Sequence, residues 1–196
     1  MSATLKRRDV VRSLLQDRGE LLVVAGLGST AWDISAAGDS PLSFPMWGAM
    51  GAAAMVGLGL ALAQPSRRVL VITGDGEMLM GLGSLATIGV QRPGNLAIAV
   101  IDNERYGETG MQATHTASGV DLAGVARACG FGSAAVVRTE ADFAAARKAL
   151  LGGPGPVLMQ VKVVAEKIPL VLPPRDGGLL KTRFRRALLG PQADAE

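Results

Sequence analysis

The stretch VLVITGDGEMLMGLGSLATIGVQ (69–91), followed by LAIAVIDN (96–103), decides the fold of this chain. The run Val69–Thr73 is short, apolar and rich in β-branched residues, which predicts a buried strand. It ends in Gly74-Asp75-Gly76. The apolar stretch from Glu77 to Gln91 has the length and spacing of a helix. A second apolar run, Leu96 to Ile101, predicts a second buried strand that ends in Asp102-Asn103. Between Gly76 and Asn103 lie 26 residues, room for one crossover helix and one strand. In a right-handed βαβ unit the two strands are parallel, so both strand ends open on the same edge of the sheet. Asp75 and Asn103 thereby face one another. A carboxylate and an amide oxygen suit Mg²⁺, which keeps few protein ligands and takes the rest from water and phosphate. Gly76 leaves backbone room for a diphosphate at the helix N-terminus, where free N–H groups and the dipole favour anions.

Outward from that unit, the same alternation continues. The pattern predicts helix 6–18, strand 21–26, helix 29–36, strand 42–45, helix 48–63, strand 68–73, helix 77–91 and strand 95–101. A polar loop over 103–119 comes next, then helix 121–129, strand 133–138, helix 140–151 and strand 156–163. Strands alternating with helices define an α/β fold, a mainly parallel sheet with helices on both faces. The expected organisation is one domain over 1–196. Its tail, 164–196, carries Pro169, Pro173, Pro174, Gly177 and Gly178 and then a basic amphipathic helix. Such a tail is a poor independent unit and is expected to pack on a partner or another copy.

Composition narrows the function classes. Hydrophobic content is 48% with only 4% aromatics, so the core is built of Ala, Val, Leu, Ile and Met. The net charge of +3 carries no argument for nucleic acid. The basic residues cluster at the two ends (Lys6, Arg7, Arg8 and Lys181, Arg183, Arg185, Arg186), where solvated helix faces are expected. One cysteine, Cys129, excludes an internal disulfide and a Cys₄ iron–sulfur site. No signal peptide is apparent. The apolar stretch Gly48 to Ala63 is shorter than the roughly 20 residues a bilayer requires. A chain acting in the cytoplasm, away from membranes, is the expectation.

Two segments have more than one reading. Gly26-Leu27-Gly28-Ser29-Thr30-Ala31 fits G-x-G-x-x-A after a strand, the dinucleotide fingerprint of a nicotinamide-dependent dehydrogenase. That fingerprint requires an acid about 20 residues on, and no acidic residue lies between Ser40 and Asp75. Gly28 and Ser29 are either diphosphate ligands or a plain strand-to-helix turn. The loop Glu104 to Gly119 holds Arg105, Tyr106, Gln112, Thr114 and His115, the one histidine of the chain. Structureless loops of that length are uncommon and often act as lids. His115 either serves structure or moves a proton near neutral pH.

The segment from Gly74 to Asn103, Gly-Asp-Gly through 26 residues to Asn, resembles the cofactor motif of thiamine diphosphate enzymes. Trp47-Gly48-Ala49-Met50-Gly51 before an apolar helix is similar to the segment that holds the aminopyrimidine ring in that family. Within it, LGLALAQ (58–64), GDGEMLMGLGSLATIG (74–89), IDNERYGETGMQATHT (101–116) and DLAGVARACGFG (121–132) resemble the β subunits of sulfopyruvate decarboxylase. Phosphonopyruvate decarboxylases share the Leu-Ala-Thr-Ile-Gly segment. The resemblance implies thiamine diphosphate and Mg²⁺ as cofactors, with Asp75, Asn103 and the Arg105 carbonyl as metal ligands. It implies the Gly76 and Glu77 N–H groups, with Gly28 and Ser29, as the diphosphate cradle. Gly74 and Tyr106 lie in the same cofactor-binding segments. The Gly48 carbonyl would accept from the aminopyrimidine, and Met50 would wedge under the bent cofactor; without the resemblance, Met50 reads as helix core. The family also uses a glutamate from a separate pyrimidine-binding domain, for which this chain has no room; Glu20, Glu77, Glu104 and Glu108 all have other readings. The implied protein is half an enzyme, a β subunit that works with an α subunit as α₂β₂ or a multiple. Its implied reaction is decarboxylation of a 2-oxo acid, sulfopyruvate to sulfoacetaldehyde, with phosphonopyruvate as the alternative. A cofactor-binding module without chemistry is the alternative from another class.

Overall fold

The computed structural model describes residues 4–194. In chain order the helices are α1 (Arg7–Leu15), α2 (Ser29–Ala36), α3 (Ala53–Ala63), α4 (Asp75–Met80), α5 (Ser84–Gln91), α6 (Leu122–Ala128), α7 (Glu140–Gly152) and α8 (Gly177–Leu189). The strands are β1 (Leu22–Ala25), β2 (Ser43–Pro45), β3 (Val69–Gly74), β4 (Leu96–Asp102), β5 (Arg105–Tyr106), β6 (Gln112–Ala113), β7 (Ser133–Val137) and β8 (Val157–Lys162). Six of them form a parallel sheet in the order β2-β1-β3-β4-β8-β7, as the alternating pattern predicts. β5 and β6 make a separate antiparallel pair.

Side chains of successive strand residues point to opposite faces. Leu70, Ile72, Ala97 and Ala99 accordingly meet α1, α2 and α7 through Val10, Leu14, Ile34, Phe143 and Leu150. Val69, Val71, Leu96, Ile98 and Val100 meet α3, α5 and α6 through Leu58, Leu85, Ile88 and Leu122. A sheet covered on both faces needs strands that are apolar throughout, and β4 is buried at every position. Helices approach closely where glycine allows it. A Cβ on Gly57 would lie 2.2 Å from Val71 Cγ2, and one on Gly89 would lie 1.7 Å from the Cys129 carbonyl oxygen.

The strand order locates the site. From β1 the chain runs through α2 to the edge strand β2, whereas from β3 it runs through α4 and α5 to β4 on the other side. β1 and β3 are neighbours in the sheet. Their C-terminal ends therefore flank the point where the winding reverses, the place where open α/β sheets bind ligands.

Two helices differ from expectation. The helix expected over 48–63 begins at Ala53, and the residues before it form a turn with Ala49 at φ 57°. The single helix expected over 77–91 is split into α4 and α5 at Gly81-Leu82-Gly83. One contact accounts for both: a Cβ on Gly81 would lie 2.2 Å from the Gly51 carbonyl oxygen, so the two backbones touch. Glycine is also a poor helix residue, which lowers the cost of the break.

In the N-terminal basic cluster Lys6 is exposed as expected, but the two arginines are not solvated. Arg7 is buried and pairs with Asp33 in α2, Arg8 Nε donates to the same carboxylate at 3.1 Å, and Arg8 Nη2 donates to the Pro169 carbonyl. Burial pushes the Asp33 carboxyl up against the opposing pull of the two guanidinium groups. The tail is tied to its own chain. Trp47 Nε1 donates to the Pro174 carbonyl at 2.8 Å, Arg183 pairs with Asp39, and the Phe184 ring meets Phe44 with centroids 5.5 Å apart. Among the described residues no helix is long and apolar enough to cross a membrane.

Candidate functional site

At the C-terminal end of β3, Gly74 is extended (φ −86°, ψ 163°) and Asp75 opens α4. In register, Gly74 lies beside Ile101 of β4, so Asp75 and the pair Asp102-Asn103 leave adjacent strands on the same edge. The Asp75 carboxylate is buried. Its Oδ2 accepts from Thr114 Oγ1 and lies 3.2 Å from Thr116 Oγ1, whose single proton is shared with Asp102 Oδ1. Burial pushes the Asp75 carboxyl up to about 6; the nearby Asp102 charge adds to the shift, and the threonine hydroxyls oppose it.

Asp102 is held differently. Its Oδ2 accepts from Gln160 Nε2 at 2.6 Å and pairs with Lys162 Nζ at 2.8 Å, while Oδ1 accepts from Thr116 Oγ1 at 2.8 Å and from the Glu104 N–H at 3.0 Å. Lys162 also pairs with Glu104 at 2.7 Å. Burial alone would lower the Lys162 pKa, but the hydrogen bonds and charges of Asp102 and Glu104 hold it above its usual value. Asp102 thus has a neutralising cation and Asp75 has two hydroxyls.

The loop after β4 is not a structureless lid. It folds back as the pair β5–β6 and a 3₁₀ turn over His115–Ser118, and it packs on Asp75 through Thr114 and Thr116. The Asn103 side-chain oxygen accepts from the Arg105 N–H at 3.0 Å and keeps its second lone pair. The carbonyls of Glu104 and Tyr106 accept from the Thr114 and Met111 N–H groups, so the Arg105 carbonyl between them points away from β6. Among the described residues no three His, Cys, Asp or Glu side chains converge as a metal site. The arrangement offers one carboxylate, one amide oxygen and one backbone carbonyl. That sparse oxygen set fits Mg²⁺, whose remaining positions go to water and phosphate.

The other expected residues surround this edge. Gly28 and Ser29 lie at the start of α2, after β1; the Ser29 carbonyl accepts from Arg7 Nη1 at 3.1 Å. A Cβ on Gly28 would lie 1.9 Å from Glu108 Oε1, so the loop tip lies across this turn. Gly48 and Met50 sit in the exposed turn before α3, which removes the helix-core reading of Met50. At Gly76 the missing side chain lets the Tyr106 ring approach to 2.4 Å from where a Cβ would be. His115 is exposed, on the outward side of a turn whose neighbours Thr114 and Thr116 face inward. Ala49, Glu104 and Met111, three of five non-glycine residues with positive φ among the described residues, lie in these loops. Strained backbone of this kind gathers at functional sites. Sequence reasoning missed Thr114 and Thr116 as partners of Asp75. It also missed Asp102, Gln160 and Lys162, whose one signal is a polar residue inside an apolar strand.

The chain belongs to the thiamine pyrophosphate (thiamine diphosphate) enzymes: residues 28–161 match the family described as thiamine pyrophosphate enzyme, C-terminal TPP binding domain. It is similar to the sulfopyruvate decarboxylase β subunit of Methanocaldococcus jannaschii, 41% identical over 126 residues, 64% of this chain and 66% of that subunit. To the same subunit of Methanothermobacter thermautotrophicus it is 38% identical over 167 residues, 85% of this chain and 88% of that one. Its fold is similar to that of benzoylformate decarboxylase from Polynucleobacter necessarius, with a TM-score of 0.71 and 21% identity; the match covers 85% of this chain but 34% of the other. The nicotinamide reading of Gly26–Ala31 is set aside.

The state of Asp75 has a measurable consequence. Its carboxyl titrates near 6 when folded against an ordinary value of 3.8. Between about pH 4 and 6 the folded chain holds a proton that the unfolded chain has released. Stability of the metal-free chain should therefore fall as pH rises through that window, by on the order of 3 kcal/mol. Asp75→Asn should flatten the slope. Urea unfolding at pH 4, 5, 6 and 7 checks this; an equally steep slope in the variant would assign it elsewhere.

Proposed function

We propose that this chain is the β subunit of a thiamine diphosphate- and Mg²⁺-dependent 2-oxo acid decarboxylase that converts sulfopyruvate to sulfoacetaldehyde and CO₂. The observation that carries the reading is the buried Asp75 carboxylate at the winding reversal, with no basic side chain bonded to it among the described residues and Asn103 on the adjacent strand end. Asp75, Asn103 and the Arg105 carbonyl would hold Mg²⁺. The Gly76 and Glu77 N–H groups, with Gly28 and Ser29, would receive the diphosphate. Gly48 would accept from the aminopyrimidine through its carbonyl, and Met50, standing clear of the core, would support the cofactor from below. When bound, the cofactor supplies the carbon nucleophile and the electron sink for loss of CO₂. The chain's part is to orient it, exclude water behind the β5–β6 arm and bring a proton to the product carbon, for which His115 is the candidate.

The same surface supports a second chain. No charged residue occurs from Ser40 to Ser66. α3 is apolar on every side, a pattern of buried helices, yet Met55, Val56 and Leu62 are exposed on it and Met80 lies exposed nearby on α4. We assign this face, beside the Gly48–Gly51 turn, to an α subunit that brings the pyrimidine-binding domain and its glutamate. The assembly would be α₂β₂ or a multiple, since paired sites follow two-fold symmetry, and the exposed side of α8 would pack within it. The shared Leu85–Gly89 segment keeps phosphonopyruvate as the alternative substrate; products from a panel of 2-oxo acids separate the two.

Calorimetric titration of thiamine diphosphate into the assembled protein with Mg²⁺ tests the reading. Asp75→Ala should weaken binding by about 10²-fold or more and Asn103→Ala by about tenfold, the scale of losses at metal sites. Wild-type affinity in both variants would refute the assignment. The chain without its α subunit should release no CO₂ from sulfopyruvate.

His115→Ala should lower kcat by about 10²-fold, the scale of a general acid–base group. Its melting temperature should not move, because the side chain is exposed. A raised KM with unchanged kcat would make His115 a substrate contact, and normal kinetics would remove it from the site.

A further inference from the structure

We propose that Glu77 is a positioning residue, its buried carboxylate locking together the three loops that would hold the cofactor. The proposal rests on the functional reading above for what those loops bind, and on the structure for how they are joined. Glu77 is buried in the first turn of α4, directly after β3. Its Oε2 accepts from Thr73 Oγ1 of β3 at 2.8 Å. The backbone N–H groups of Ala53, Gly51 and Leu27 lie near the same carboxylate, while Thr73 is its one hydrogen-bond donor of good geometry among the described residues. Those groups belong to the turn carrying Gly48 and Met50 and to the turn carrying Gly28 and Ser29. Glu77 itself follows Asp75 and Gly76. One side chain therefore reaches every segment assigned to the cofactor, although the segments are distant in sequence.

Packing and capping point the same way. A Cβ on Gly26 would lie 1.6 Å from Glu77 Oε2, so the β1 turn is shaped around the carboxylate. α3 begins at Ala52-Ala53 with no side-chain cap of its own. A carboxylate near its first N–H groups places negative charge where a helix N-terminus favours it. A residue kept only for volume would be apolar here. Oε1 has no hydrogen bond of good geometry and is buried, a cost that volume alone does not require. Holding loops in register matters because small displacements of positioning groups lower rates and affinities disproportionately.

The test uses Glu77→Ala, Glu77→Gln and Gly26→Ala with two readouts. The first is amide hydrogen exchange over residues 26–29 and 49–53 in the full chain without cofactor. The second is thiamine diphosphate affinity of the assembled protein with Mg²⁺. Glu77→Ala should speed exchange in both loops by about tenfold and weaken affinity by about tenfold, with β4 and β8 unchanged. Gly26→Ala should do the same, because its methyl group displaces the carboxylate. Glu77→Gln keeps the length and one acceptor oxygen, and Thr73 can reverse its hydroxyl; it should stay within about threefold of wild type on both counts. The proposal is overturned if exchange in the two loops is unchanged in Glu77→Ala or Gly26→Ala, if β4 and β8 loosen equally, or if Glu77→Gln is as damaging as Glu77→Ala. Should Glu77→Ala fail to fold, the other two variants decide. Failure of the wild-type assembly to bind thiamine diphosphate would refute the functional reading and leave the exchange result to judge Glu77.

Discussion

Two carboxylates, Asp75 and Asp102, end neighbouring strands with one threonine hydroxyl bonded to both. Like charges this close cannot both be left bare in a buried place. The fold treats them unequally. Lys162 and Gln160, from the next strand, neutralise and bond Asp102. Asp75 has threonine hydroxyls and its own N–H but no cation among the described residues, and burial, with the Asp102 charge adding to it, disfavours its ionised form. The arm after β4 turns back because Thr114 and Thr116 must reach Asp75. A divalent cation at this edge would reverse the imbalance: it supplies the charge that the protein withholds, and it would displace the proton that Asp75 otherwise retains up to about pH 6.

Backbone contacts hold the walls of this edge. Gly51 lies on Gly81, Gly26 under Glu77, Gly28 under Glu108 and Gly76 under the Tyr106 ring. Each glycine lets a loop approach its neighbour more closely than a side chain allows. The loops of this edge are thereby held by close main-chain approaches and by the buried Glu77, which leaves the charged groups to act on a ligand. The sheet is less demanding. Its apolar alternation would tolerate many sequences, whereas the edge requires particular ones.

The fold was legible because its signals are local. Val69–Thr73 and Leu96–Ile101 announce themselves as strands within six residues each, and the turn chemistry at Gly74–Gly76 marks where one of them ends. The placement of Asp75 and Asn103 on adjacent strand ends was legible because one motif carried both. Thr114 and Thr116 looked like ordinary loop residues because their partner lies 39 and 41 positions away. Arg7 was read as solvated for the same reason, since Asp33 is 26 positions away. The split between α4 and α5 was hidden because its cause is a tertiary contact at Gly51. The resemblance pointed to the Glu77 backbone N–H, but not to its side chain, since nothing nearby in sequence reveals the turns that approach it.

The account turns on Asp75 being an unfavourable anion that a cation would relieve. Carboxyl carbon NMR of Asp75, followed through a pH titration, measures this directly. The cofactor-free protein should show a midpoint near 6, and the assembled protein with Mg²⁺ and thiamine diphosphate should show it below about 4, the ordinary carboxylate range. An ordinary midpoint without metal, or a midpoint of 6 that Mg²⁺ and thiamine diphosphate leave in place, would contradict it.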